Sequence, residues 1–344
     1  MPTPNNSYWQ KRFTQLTEAQ LNKGERYYKD LVEEYEKSIV TIQRDIELFY
    51  TKFAEDNEVG MAEARKLLDN RELKEFRWTI EEYIQASQEN NLDERWIKQL
   101  QNASTRMRLS RSESLQYQIR QQVEMVSTKK LAGLTKLSGE LITEGYYKGI
   151  FEVQKGFGIG ETFTKLDTRT IESIISKPWA PDGSNFSSRI WRDREVLMNE
   201  LQKELAQSFI RGDAPDTAIR NISKKMEVSK RATGRLIMTE AAFFAGEARA
   251  KAFAELGVEK YQFIATLDLK TSKTCQDMDL EVFRLSEREV GVNWAPLHNW
   301  CRSTQIPHFE GNIRRRWARD PGTGKSIYIP GNMTYKEWYE KYVA

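Results

Sequence analysis

Between residues 28 and 53 the apolar side chains Tyr28, Leu31, Tyr35, Ile39, Ile42, Ile46, Phe49 and Phe53 follow one another at spacings of three and four. Only a helix of 3.6 residues per turn gathers such a series onto one face, so this stretch is committed to one long amphipathic helix. Further helical spacing runs over 60–69, 72–87 (Leu73, Phe76, Ile80, Tyr83, Ile84) and 93–126 (Trp96, Ile97, Leu100), and glycine and proline are scarce throughout. Residues 1–130 therefore read as a helical arm or bundle. So few helices leave one side of the stripe open. Residues 29–58 carry an acidic excess, which disfavours DNA as the cover, so a protein partner is expected there.

The length, 344 residues, suggests two or three domains. Charged residues make up 30% of the chain and the mean hydropathy is −0.69. No apolar run approaches the roughly 18 residues that span a membrane. An aromatic content of 11%, with nine Trp, is too rich for a disordered chain. The N-terminus is polar and has no apolar signal core, so a reducing compartment is expected. The net charge of +3, from 53 basic against 50 acidic residues, gives no global nucleic-acid signature. Basic excess is local, over 106–136 and 311–325.

Gly133, Gly139, Gly145, Gly149, Gly156, Gly158 and Gly160 interrupt helical spacing, so 131–185 reads as a glycine-rich helical connection. Gly156-Phe-Gly-Ile-Gly160 lacks the G-x-G-x-x-G spacing and reads as a turn. Residues 177–188 form a loop, followed by a helix with Trp191, Leu197, Leu201, Leu205 and Phe209. Gly212-Asp-Ala-Pro-Asp216 ends it and caps the next helix, and 229–256 is an alanine-rich helical run. After Gly257 the period changes: Tyr261–Leu267, Glu281–Phe283 and Ser303–Ile306 read as a small antiparallel sheet. The tail, 311–344, combines Arg314, Arg315 and Arg316, candidate contacts for DNA phosphates, with a Pro-Gly turn and an aromatic terminal helix. Gly322-Thr-Gly-Lys-Ser326 is no phosphate loop, because Arg319 stands at its first glycine position. The fold class is mainly α, with a small α+β C-terminal module whose sheet lies near 261–306.

The chain has only two cysteines and two histidines, and all four fall close together: Cys275, His298, Cys301 and His308. Thiolate and imidazole are the usual ligands of tetrahedral zinc, and H-x2-C at 298–301 places two of them on one turn. A structural zinc site made from these four is the leading reading. Buried thiols with ordinary histidines, a redox disulfide and a catalytic Cys–His pair stand beside it.

Across roughly 186–310 the chain resembles the head-morphogenesis family of tailed bacteriophages, the minor head proteins related to the Mu F and SPP1 minor head proteins. The resemblance is carried in order by Ser188-Arg-Ile-Trp191, Arg211-Gly212-Asp213 and Arg235-Leu-Ile-Met-Thr-Glu240. Tyr261 to Asp268, Thr271-Ser272, Cys275, Asp279, Val282-Phe283, Gly291-Val-Asn293, Pro296-Leu-His298 and Cys301-Arg-Ser-Thr304 follow. Family members usually have glycine where Leu280 stands, after Asp279, which bears on the turn there. Many also carry cysteines where this chain has Met278 and Ser303, so a fourth metal ligand falls to His308 or to a carboxylate such as Asp268.

The resemblance implies a protein present in few copies inside the head, bound to the portal protein at its vertex. It implies roles in head morphogenesis and in protecting or ejecting DNA. Scaffolding protein, major capsid protein and packaged double-stranded DNA are further expected partners, and the location is the virion interior, with host cytoplasm during assembly. Arg235, Thr239, Glu240, Asp268, Asp279 and Arg302 are then structural residues, with Glu240 expected to meet a basic group of the sheet module. No paired-carboxylate motif argues for an enzyme. The alternatives are a non-specific DNA-binding protein, or a metal-dependent hydrolase with Glu240 or Asp279 as base.

Overall fold

The computed structural model describes residues 6–56, 80–97, 111–158, 160, 162–211, 213–309, 315–321, 323, 325–330 and 333–343. The helices are α1 (Asn6–Asp56), α2 (Ile80–Glu89), α3 (Arg111–Phe157), α4 (Thr168–Ser176), α5 (Phe186–Arg211), α6 (Pro215–Glu255), α7 (Lys273–Asp277) and α8 (Tyr335–Tyr342). The strands are β1 (Lys260–Ile264), β2 (Val282–Arg284), β3 (Thr304–Pro307), β4 (Arg315–Arg319) and β5 (Ser326–Pro330). The chain is therefore mainly α with a small antiparallel sheet, as the periodicities anticipate. The helix expected at 60–69 lies outside the described residues, as do 72–79 and 98–110 of the next two.

Two compact units form, and neither is contiguous in sequence. One comprises Tyr28–Gly133 and Phe186–Thr233; the other comprises Met1–Tyr27, Leu134–Asn185 and Gly234–Ala344. In the first of these the α1 stripe is covered from within the unit. Tyr35, Ile39, Ile42, Ile46 and Phe49 are buried against Leu115, Ile119 and Val123 of α3, Leu197, Leu201 and Leu205 of α5, and Ile222 and Met226 of α6. Each such side chain contributes roughly 1.5–3 kcal/mol on burial. The expectation that a separate protein covers this face is thereby corrected. Its cover comes from α3 and from residues 186–233 of the same chain, and periodicity within the first third has no means of revealing the second of these. Arg194, also buried in this unit, donates to Glu124 Oε2 at 3.0 Å. Desolvation pushes the Glu124 carboxyl up, and the Arg194 charge opposes that shift.

The other unit gathers three segments around one aromatic core. Trp9, Phe13 and Leu16 from the start of α1 pack with Val153, Phe253, Tyr261, Trp294 and Ile306. The sheet has the order β2-β1-β3, with Tyr261 opposite Phe283 on one side and Gln262 opposite Ile306 on the other. β4 and β5 form a separate antiparallel hairpin, which the residue pattern of the tail does not announce. The Arg249 guanidinium is fully buried and donates to Gln305 Oε1 at 2.7 Å and Thr17 Oγ1 at 2.5 Å. Burial without a carboxylate pushes its pKa down to about 9, so it stays charged at neutral pH and ties α1 and β3 to α6.

The glycines of 133–156 do not interrupt the helix, because α3 runs unbroken from Arg111 to Phe157. Gly145, Gly149 and Gly156 serve close approach instead. A Cβ on Gly145 would lie 2.5 Å from Gln20 Nε2 and 2.7 Å from Ala248 Cβ, and one on Gly156 would meet the Trp9 ring at 2.2 Å. A glycine in a helix interior costs about 1 kcal/mol relative to alanine, so keeping it here reflects packing. Gly145→Ala is therefore expected to destabilise by about 1–3 kcal/mol despite its better helix propensity. Urea denaturation measures this, and an unchanged or raised midpoint would contradict the close packing.

Candidate metal centre

The site forms at one end of the three-stranded sheet. β1 leads into the 265–272 loop, and Ser272 closes that loop by capping α7, its hydroxyl accepting the Cys275 N–H at 3.3 Å. β3 begins at Thr304 opposite Ile264, so the residues before it return to the same sheet end. There the Cys301 N–H donates to the His298 carbonyl at 3.2 Å, closing a turn in which Trp300 adopts φ +63°. Cys275 and Cys301 are each 1% exposed.

Cys275 Sγ lies 3.2 Å from His298 Nε2 and 3.7 Å from Cys301 Sγ. The three ligand atoms all lie within 4.8 Å of one another. Zinc–sulfur bonds of about 2.3 Å at tetrahedral angles place two thiolates about 3.8 Å apart, so this pair fits one edge of a metal tetrahedron. Both cysteines are free thiols. His298 Nδ1 sits 2.7 Å from the Asn299 carbonyl oxygen, which only accepts. Nδ1 therefore donates to that carbonyl, which leaves Nε2 as the ring nitrogen that faces the sulfurs.

The two thiols share a proton unequally. The hydrogen bond from Cys275 pushes Cys301 down to about 6, and backbone groups of Leu297 and Ser303 add to this against the effect of burial. The same bond, together with burial, pushes the Cys275 thiol up. At neutral pH the pair thus holds one thiolate, the charge a divalent cation needs at the start of coordination. Cys275, His298 and Cys301 would hold a zinc ion, which would supply a cross-link between α7 and the turn before β3.

His308 is not part of this group. It follows β3 at the opposite end of the sheet, where its N–H donates to the Lys260 carbonyl at 2.9 Å. Each residue of strand advances about 3.3 Å, so the four positions of β3 separate it from Cys301. The four-residue ligand set expected from sequence proximity is corrected to three. Asp268, the carboxylate alternative, is engaged by Arg302 in a fork (Nη1–Oδ2 2.5 Å, Nη2–Oδ1 2.8 Å). That pair fixes the residue next to Cys301, and the Arg302 hydrogen bond holds the Asp268 carboxyl below the usual range against its desolvation.

The remaining structural candidates brace this frame. Asp279 Oδ1 accepts the Ala265 N–H at 2.9 Å, tying the loop after β1 to the 278–281 turn. Leu280 in that turn has φ +70°, so the left-handed backbone that glycine would favour is kept with a leucine in place, at a cost of about 1 kcal/mol. Thr239 Oγ1 donates to the Arg235 carbonyl at 2.7 Å and accepts the Trp300 N–H at 3.3 Å, bracing the ligand turn from α6. The Glu240 carboxylate, fully buried, accepts the Trp179 indole N–H at 2.9 Å. Sequence reading missed Trp179, whose only signal was an aromatic residue within a loop of turn formers. Arg314 lies outside the described residues, and Arg315 and Arg316 open β4.

No described helix is long and apolar enough to cross a membrane. No curated protein and no solved structure matches the chain. A family model described as Phage Mu protein F like protein matches residues 199–306, which run from α5 through α6 to β3 and take in Cys275, His298 and Cys301. The segment carrying the sheet and the candidate metal centre is thus similar to the Phage Mu protein F like family.

Proposed function

We propose that the chain is a minor head protein of a tailed bacteriophage, present in few copies inside the head at the portal vertex, where it acts in head morphogenesis and in DNA protection or ejection. The observation that carries this reading is the family match over 199–306. The role is structural rather than enzymatic. Both thiols of the candidate centre are buried among Phe263, Ala265 and Ala295, which suits a staple between two loops rather than a reaction site open to substrate. The portal protein is the principal partner, with scaffolding protein, major capsid protein and packaged double-stranded DNA as further ones.

Mass spectrometry of purified procapsids and mature heads tests the reading. The chain is expected to cofractionate with the portal protein in both, far below the abundance of the major capsid protein. Heads that lack it, or a copy number equal to that of the major capsid protein, would overturn the assignment.

A further inference from the structure

A cleft of about 1300 Å³ opens between α4, the C-terminal end of α6, the start of β1 and the 284–288 segment, all within one unit. Arg169, Lys251, Lys260, Arg284 and Arg288 line it, against two carboxylates, Glu247 and Glu259. Arg288 and Glu247 neutralise each other through a bidentate pair of 2.6 and 3.1 Å, and Glu259 is the other carboxylate in the lining. Arg169, Lys251 and Arg284 are exposed. Arg169 and Arg284 make no ion pair or side-chain hydrogen bond among the described residues. Over the whole chain basic and acidic residues nearly balance, 53 to 50, so this concentration does not follow from composition.

The cleft is larger than the roughly 300–1,000 Å³ of a small-molecule pocket, which suits part of an extended ligand. Ala250, Val258 and Leu285 are apolar parts of its lining, and among the described residues no aromatic ring lines it, so stacked bases find no platform. Recognition must then work on charge, and the guanidinium fork matches phosphate oxygens two at a time. We propose that this cleft binds the sugar–phosphate backbone of double-stranded DNA. The site rests on the arrangement of its charges, and the choice of DNA as the source of phosphate rests on the head-protein reading above. The contact surface is then the family domain and its α4 neighbour rather than the arginines of β4.

Fluorescence anisotropy of a labelled duplex titrated with the full chain tests this. Arg169→Glu with Arg284→Glu is expected to raise Kd at least about tenfold near physiological salt and to flatten the log Kd–log salt slope by about 2. Lys203→Glu with Lys224→Glu makes the same charge change on the other unit and is expected to leave Kd within about twofold. Absence of duplex binding by the unaltered chain at low salt, or equal weakening by both pairs, overturns the proposal. Displacement of the duplex by inorganic phosphate or polyglutamate at equal charge concentration would reassign the cleft to small anions or acidic protein segments, and overturns it too. Heads that contain the chain while the purified chain ignores DNA would remove the cleft proposal and leave the head reading standing. Cleft-dependent DNA binding by a chain absent from heads would do the reverse.

Discussion

Serine in place of Cys301 is expected to lower zinc affinity by more than about 100-fold, beyond the 10–100-fold typical of losing a residue that only orients a ligand. His308→Ala is expected to leave affinity within about twofold, because that imidazole stands at the other end of β3. Proton release adds a pH signature. Cys301 is already a thiolate above pH about 6, so at neutral pH zinc displaces only the Cys275 proton. Below about 6 both protons must leave, and the affinity should fall more steeply with acidity. Titration calorimetry in buffers of different ionisation enthalpy, with a competing chelator, reads both quantities. Equal affinity in the Cys301 variant, or equal loss in the His308 variant, would show that the cluster is not the binding site.

Trp9→Ala is expected to destabilise the chain by about 3–5 kcal/mol, the range for an aromatic residue removed from a close-packed core. Trp9 is fully buried, with Phe157 at 5.6 Å and Phe309 at 5.8 Å between ring centroids. Denaturant unfolding of the full-length variant, followed by tryptophan fluorescence and by circular dichroism, measures the loss. Deleting residues 1–27 should have a larger effect, leaving the sheet-bearing unit without one of its helices and lowering its solubility. Wild-type stability in Trp9→Ala would mean that the start of α1 is a detachable arm after all.

Local pattern was legible where the physics is local. The three-and-four spacing of α1, the alanine-rich run of α6 and the β-branched and aromatic runs of β1 and β3 each announced their element. Cys275, His298 and Cys301 stood out because, His308 apart, their residue types occur nowhere else in the chain. What failed depends on partners distant in sequence. The cover of the Tyr35–Phe49 face comes largely from more than a hundred residues downstream, and Gly145 and Gly156 of α3 look like breaks until Ala248 and Trp9 are set against them. His308 failed for a related reason. Nearness along the chain suggested nearness in space, and an intervening strand carried it away.

The interleaving of the two units bears on the order in which the chain can fold during synthesis. Residues 28–233 hold every segment of one unit, so its core can close while the C-terminal third is still being translated. The other unit has to wait. Trp9 and Phe13 leave the ribosome early in their unit, yet their partners Phe253, Trp294 and Ile306 emerge more than two hundred residues later. For that interval the leading turns of α1 have only Val153 and Phe157 from their aromatic core to pack on, and before those emerge they have none of it. This makes the final step of folding a long-range closure that is intrinsically slow.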